Sequence, residues 1–272
     1  GGELANDNLA VNNKRAKLSW YSIDPLFYST QRPSGISDDD LSTYATRRVF
    51  INEIFPNIDI VQGQTQVVYT MDLAYYPEER GSYNFNPAAN GTNTLPNPEE
   101  NFGGISRAVN NTNFEQTNVE FIEFWLMDPF IYDENIGNNG GKITFNLGNI
   151  SEDVLKDGRK QYENGLPEDG SLNNTITTTF GVVPANQSLV YAFDTEGQAR
   201  QNQDAGFDGL GDLEEANFFP QFSGIDDPAA DNYNYFLAVD GGIVERYRDY
   251  NGTDGNSPSE VTNTNRGNSP LP

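Results

Sequence analysis

"VEFIEFWLMDPF", residues 119–130, is the stretch on which the fold class turns. It is too short, and at Glu120 and Glu123 too charged, to cross a membrane as a helix. With a period of two, Val119, Phe121, Glu123, Trp125 and Met127 share one face, while Glu120, Ile122, Phe124 and Leu126 share the other. Both faces are mostly apolar, the pattern of a central strand covered on both sides. Asp128-Pro129 ends the run, because proline has no N–H to give to a ladder. The stretch is expected to be a core strand with Trp125 packed inside.

Working outward, other segments alternate in the same way. "AKLSWYSI", 16–23, places Ala16, Leu18 and Trp20 on one side and Lys17, Ser19 and Tyr21 on the other. "TQVVYTMDLAYYP", 65–77, lines up Val67, Tyr69, Met71, Leu73 and Tyr75, and "NNGGKITFNLG", 138–148, gives a turn followed by Ile143, Phe145 and Leu147. "TITTTFGVVP" and "QSLVYAFD" are two more β-rich stretches. Short helices are expected in three places. At 37–48 Ser37 can cap three aspartates and Arg47 and Arg48 close the far end; at 149–158 Gly158 is the stop; a loop-and-helix unit spans 204–219. "NYNYFLAVD" and "GGIVERYRDY" finish the ordered part. Strands at irregular spacing, long Asn/Pro/Gly loops such as 81–104 and a few one-turn helices predict a mainly β fold, an antiparallel β-sandwich or jelly roll. The expected organisation is a polar tail over 1–13, one β-sandwich domain with loop insertions over 14–250, and a second polar tail over 251–272. Both ends read as cuts in a longer polypeptide.

Composition narrows the chemistry. The 272 residues include neither cysteine nor histidine, which removes disulfides, thiolate nucleophiles, His-assisted catalysis and the usual zinc ligand sets. With 40 acidic against 16 basic residues the chain carries a formal net charge of -24, which repels nucleic-acid phosphates and anionic lipid. Carboxylate chemistry and oxygen-liganded metals remain.

The spacing with most chemical content is "DAGFDGLGDLEE", 204–215. Counted as a twelve-residue calcium loop, Asp204, Asp208, Asp212 and Glu215 fall at positions 1, 5, 9 and 12, Gly209 takes the sharp turn at position 6, and Leu210 offers its backbone carbonyl at position 7. Gly206 stands at position 3, where a carboxylate would be wanted, so the loop is one ligand short. The bland reading is an acidic turn leading into a capped helix. Carboxylate pairs for glycoside hydrolysis could be drawn from Glu120, Glu123, Asp128 and Asp133, but any acidic chain offers such pairs. Trp20 and Trp125, with 14 tyrosines, could form a sugar-stacking platform, a role that the expected burial of Trp125 disfavours.

Longer composite motifs carry a family resemblance. "GGISRAV", "NFEQTNVEFIEFWLMDPFIYD" and "FNLGNISEDVLKDGRKQYENGLP" resemble the SprA family, also called Sov, the giant outer-membrane translocons of Bacteroidetes type 9 secretion. "RAKLSWYSIDPLFY", "DLAYYPEERGSYNF", "VYAFD", "QDAGFDGLGD", "DPAADNYNYF" and "ERYRDYNGTDGNSP" fit the same family in the same order, so the resemblance runs from about Arg15 to Pro258. It implies a role in protein export, including surface adhesins used in gliding, and not catalysis. The chain would be one soluble insert of a very large β-barrel, associated with the outer membrane without itself spanning it, on the cell-surface side more than the periplasmic. Neighbouring barrel segments, accessory secretion subunits and secreted cargo would be its partners. The family also lends "VEFIEFW" a likeness to galactose-binding-like jelly rolls. The alternative is a carbohydrate-binding module of a secreted or surface protein; a carboxylate-based glycosidase stands third.

Overall fold

The computed structural model describes residues 9–64, 66–105, 120–128, 130, 140–148, 166–177, 181–185, 197–204, 206, 208–232, 234 and 236–249. They belong to two compact units, one formed by 1–103 with 153–272 and the other by 104–152. The regular structure is short antiparallel strands in small sheets and a few short helices. In the first unit β1 (Ala16–Tyr21) pairs with β4 (Asp72–Arg80), β2 (Val49–Phe50) with β3 (Val67–Val68), and β5 (Thr175–Thr177) with β6 (Val182–Pro184). The helices are α1 (Ile51–Ile54), α2 (Gly197–Gln203), α3 (Asp212–Phe218) and α4 (Ile243–Tyr247). Among the described residues no helix is long and apolar enough to cross a membrane.

Register decides which faces are buried. Leu18 stands opposite Tyr75 and Trp20 opposite Leu73, while Ser19 faces Ala74 and Tyr21 faces Asp72. Residues directly opposite share a face of an antiparallel pair. Leu73 and Tyr75 are exposed, so the face they share with Leu18 and Trp20 is the outer one, and Ser19 and Tyr21 are buried. This corrects the grouping of Ala16 with Leu18 and Trp20. At a register shift between Ala16 and Lys17, whose partners are Arg80 and Tyr76, residues 77–79 of β4 are left without a partner on β1, and Ala16 lies inside with Ser19 and Tyr21. The run 65–77 is likewise not one strand. It divides into β3 and the start of β4, and its shared apolar face is open, with Tyr69 and Met71 exposed.

Two aromatic clusters hold the first unit. In one, Phe85 stacks on Phe219 with ring centroids 3.5 Å apart and meets Phe222 edge-on at 5.6 Å, beside Leu9, Tyr83 and Leu95. In the other, Tyr247 stacks between Tyr21 (4.9 Å) and Phe236 (5.0 Å), with Phe27 against its edge. Helix α4 supplies Tyr247 because Ile243, Arg246 and Tyr247 recur at helical spacing and form its buried stripe. At 37–46 Ser37 does cap, exchanging bonds with Asp40, yet the segment is a series of turns and not the expected helix. The hydroxyl of Thr46 donates to the carbonyl of Asp40, a side-chain bond that competes with helix propagation.

The second unit corrects the reading of the opening stretch. Residues 120–128 form neither strand nor helix, and Phe121, Trp125 and Leu126 are 75%, 71% and 64% exposed. Residues 140–148 carry no strand either, and Ile143, Phe145 and Leu147 are exposed; Phe124 and Phe145 meet with ring centroids 5.3 Å apart. A segment that is apolar on both faces is buried only where both are covered, and among the described residues these faces stay largely in solvent. The expected helix at 149–158, the stretch 187–194, the tail 251–272 and the first eight residues lie outside the described residues.

Candidate metal centre

The acidic loop is built by two turns and a helix start. Helix α2, which the sequence does not announce by an apolar stripe, delivers Asp204. Gly206 and Gly209 both have positive φ, +54° and +74°, a region glycine enters without penalty. At the second of these turns the Gly209 carbonyl accepts the N–H of Val182 at 2.7 Å, and a Cβ on Gly209 would come within 2.8 Å of Val183. Glycine at calcium-loop position 6 thus also lets hairpin β5–β6 close on the loop. Asp208 Oδ1 accepts the N–H of Leu210 at 3.0 Å, and Asp204 Oδ2 accepts that of Asp212 at 3.2 Å. Helix α3 then opens with Asp212, Glu214 and Glu215 in its first turn, where the helix dipole favours negative charge.

A second acidic segment, which the loop spacing does not reveal, comes from Asp227-Pro-Ala-Ala-Asp231. The Asp227 carboxylate accepts the N–H groups of Asp231 and Asn232, each at 3.2 Å, and Ala230 turns at a φ of 55°. The last residue of β4 and those just after it hold this turn in place. Tyr83 N–H donates to the Ala229 carbonyl (2.7 Å), Ser82 Oγ to that of Ala230 (2.7 Å) and Arg80 Nη1 to that of Pro228 (3.0 Å). The Tyr83 hydroxyl donates to Asp231 Oδ2 at 2.8 Å, and Glu215 Oε2 accepts the N–H of Ala229 at 2.8 Å. The sequence signal for the segment was two aspartates four residues apart around a proline turn, close to a loop already short of one carboxylate.

These bonds bring six carboxylates together: Asp204, Asp208, Asp212, Glu215, Asp227 and Asp231. Asp208, Glu215 and Asp231 each offer a carboxylate oxygen within 4.8 Å of the others, and so do Asp212, Glu215 and Asp227. Asp208, Glu215 and Asp231 are at most 1% exposed. Each has one buried oxygen, Asp208 Oδ2, Glu215 Oε1 and Asp231 Oδ1, with no hydrogen-bond partner among the described residues. Of the residues expected in the loop, Asp208, Asp212 and Glu215 enter these groups. Asp204 is buried alongside but belongs to neither, and Leu210 enters the described bonds through its N–H.

Burial and mutual repulsion penalise this much charge. Loss of water, then the neighbouring acids, pushes the carboxyl of Asp212 up to about 7; burial raises Asp204 to about 6, against the pull of Arg200. Asp208 rises to about 7 and Glu215 to about 10, burial being the larger cause in both, and Asp231 is raised well above the ordinary carboxylate range. The compensating guanidiniums are Arg200, acting on Asp204 and Asp212, and buried Arg80, acting on Glu215 and Asp227. Such an oxygen-only cluster can take protons or a hard cation.

The carboxylates weighed for glycoside hydrolysis lie elsewhere. Glu120, Glu123 and Asp128 belong to the second unit, where Asp128 Oδ1 accepts the N–H of Phe130 at 2.9 Å, and Asp133 is outside the described residues. Trp125 is in the same unit, whereas Trp20 is half-buried on β1. Compared with known proteins, the sequence matches no family model and no curated protein.

Proposed function

We propose that this chain is a non-catalytic folded segment of an outer-membrane protein translocon of the type 9 secretion kind, serving protein export and the delivery of surface adhesins. The observation that carries the reading is where the resembling motifs meet. "RAKLSWYSIDPLFY" contains β1 and "DLAYYPEERGSYNF" contains its partner β4, while "QDAGFDGLGD" and "DPAADNYNYF" supply the two acidic segments fastened behind β4. "ERYRDYNGTDGNSP" begins with residues of α4, whose Tyr247 stacks on Tyr21. Motifs spread over more than two hundred residues thus build one packed unit, as motifs that specify a structural part should. Carboxylates as enclosed as Asp208, Glu215 and Asp231 cannot reach a substrate, which supports a structural role for them over an enzymatic one.

In this reading the small antiparallel sheets are parts of an antiparallel sandwich or jelly roll of the galactose-binding-like kind. The segment lies on an aqueous side of the outer membrane, the cell surface in preference to the periplasm, against neighbouring barrel segments, accessory subunits or cargo. The test is replacement of residues 14–250 by a flexible linker in the whole translocon. Export of cargo should stop while the barrel still reaches the outer membrane; undiminished export would overturn the assignment. A glycan array on the isolated chain should be blank, and saturable sugar binding would favour a carbohydrate-binding module instead.

A further inference from the structure

We infer that the chain holds a calcium ion in a site assembled from two separate segments, with Asp208 and Glu215 of the acidic loop and Asp231 of the following turn as its carboxylate ligands. The inference stands apart from the export assignment and rests on geometry within one unit. Three buried side chains each present an oxygen without a hydrogen-bond partner among the described residues, and the same three side chains bring carboxylate oxygens within 4.8 Å of one another. A buried carboxylate oxygen left unpaired is costly, and three in one place amount to a coordination shell in search of its ion. The other oxygens of these groups are already fixed. Leu210 N–H holds Asp208 Oδ1, Ala229 N–H holds Glu215 Oε2 and the Tyr83 hydroxyl holds Asp231 Oδ2, so the remaining oxygens are oriented as supported metal ligands are.

The gap in the loop's spacing explains why the third ligand comes from elsewhere. Position 3 of the loop is Gly206, and a Cβ built there would overlap Asp231 Oδ2 and lie 2.9 Å from the Tyr83 hydroxyl. The place a position-3 side chain would leave from is occupied by the carboxylate of Asp231, delivered by a turn twenty-five residues further along. Glycine at 206 is therefore the condition for the substitution. The absence of histidine and cysteine leaves only oxygen donors, which suit hard cations. Carboxylates gathered from a loop, a helix and a turn form an irregular set, which calcium accepts more readily than magnesium with its demand for a near-ideal octahedron.

The experiment compares the chain with Asp231→Asn, each freed of metal by chelator and titrated with calcium by calorimetry, with thermal unfolding followed in both states. Wild type should bind saturably, and Asp231→Asn should lose more than about 100-fold in affinity, beyond the usual cost of disturbing a supporting group. In chelator the order of stability should invert: Asp231→Asn, with one buried acid fewer and an amide oxygen still able to accept from Tyr83, should melt above wild type. With calcium present it should melt below. A purely structural Asp231 would move both melting points the same way, and that result, or failure of the variant to fold in both states, would overturn the site. Wild-type-like binding by Asp231→Asn combined with loss in Asp204→Asn would return the site to the single linear loop and equally overturn it. Featureless heats from wild type would do so outright.

Discussion

Trp125 sits in an apolar run and is 71% exposed, while Glu215 sits in an acidic one and is fully buried. Local hydropathy would order the two the other way. The difference lies in what each side chain is offered. The acidic cluster meets backbone N–H groups, the Tyr83 hydroxyl (at Asp231) and two guanidiniums, and its neighbours are fixed by hydrogen bonds that reach across the sequence. Around 120–128 Phe124 meets Phe145, and most of the apolar surface of the stretch stays in water. Burial follows the supply of partners, and partners are a property of the fold more than of the stretch itself.

The contrast can be broken most directly in the aromatic core. Phe222→Ala removes a fully buried ring that meets Phe85 edge-on and lies under the guanidinium of Arg80, and should cost about 3–5 kcal/mol by chemical denaturation. A loss under about 1 kcal/mol would mean that this cluster does not hold the unit together.

Next comes pH, in protein stripped of metal. Asp204, Asp208 and Asp212 have folded-state carboxyls raised to about 6, 7 and 7, so between their ordinary range and these values the fold binds more protons than the unfolded chain. Stability then falls as pH rises: the penalty is absent near the unfolded values and grows through the raised ones. The melting temperature in chelator should drop between about pH 5 and about pH 8, and Asp208→Asn should flatten the slope. A melting temperature that rises over the same range would show that the acids are not enclosed.

Gly206→Ala should cost about 2–3 kcal/mol, combining a left-handed backbone with displacement of Asp231. Its far side is Gly104→Ala, which meets open space and should leave stability within about 0.5 kcal/mol. Equal effects at the two glycines would remove the case for a close approach at 206. Trp125→Ala closes the series with a loss below about 1 kcal/mol in this chain, its ring being mostly in solvent. A loss near that of Phe222→Ala would restore the buried-strand reading of 119–130.

Parts of this were legible in the sequence. Alternation marks β1, β-rich composition marks the stretch that holds β5 and β6, and the acids after Gly211 mark α3, because those signals depend only on near neighbours. The loop spacing picked out Asp208, Asp212 and Glu215, and Glu215 has carboxylate oxygens within 4.8 Å of Asp208 in one group and of Asp212 in another. Asp227 and Asp231 escaped because their place is set by bonds from Arg80, Ser82 and Tyr83, which no local period encodes. Which face of β1 lies inside escaped for a different reason: a shift of register between Ala16 and Lys17 inverts the alternation without changing its pattern.

The bonds that tie Arg80, Ser82 and Tyr83 to the turn at 228–231 each span 148 residues of chain. Contacts so distant along the polypeptide close late, because a large loop must surrender its entropy before they give anything back. During synthesis the loop 204–215 emerges before Asp231 does. For that interval its carboxylates are in water, ionised and repelling one another. The acidic loop thus takes its final shape only once the turn at 228–231 has arrived, and the arrival of that short turn, more than any event in the loop, sets the moment when it does.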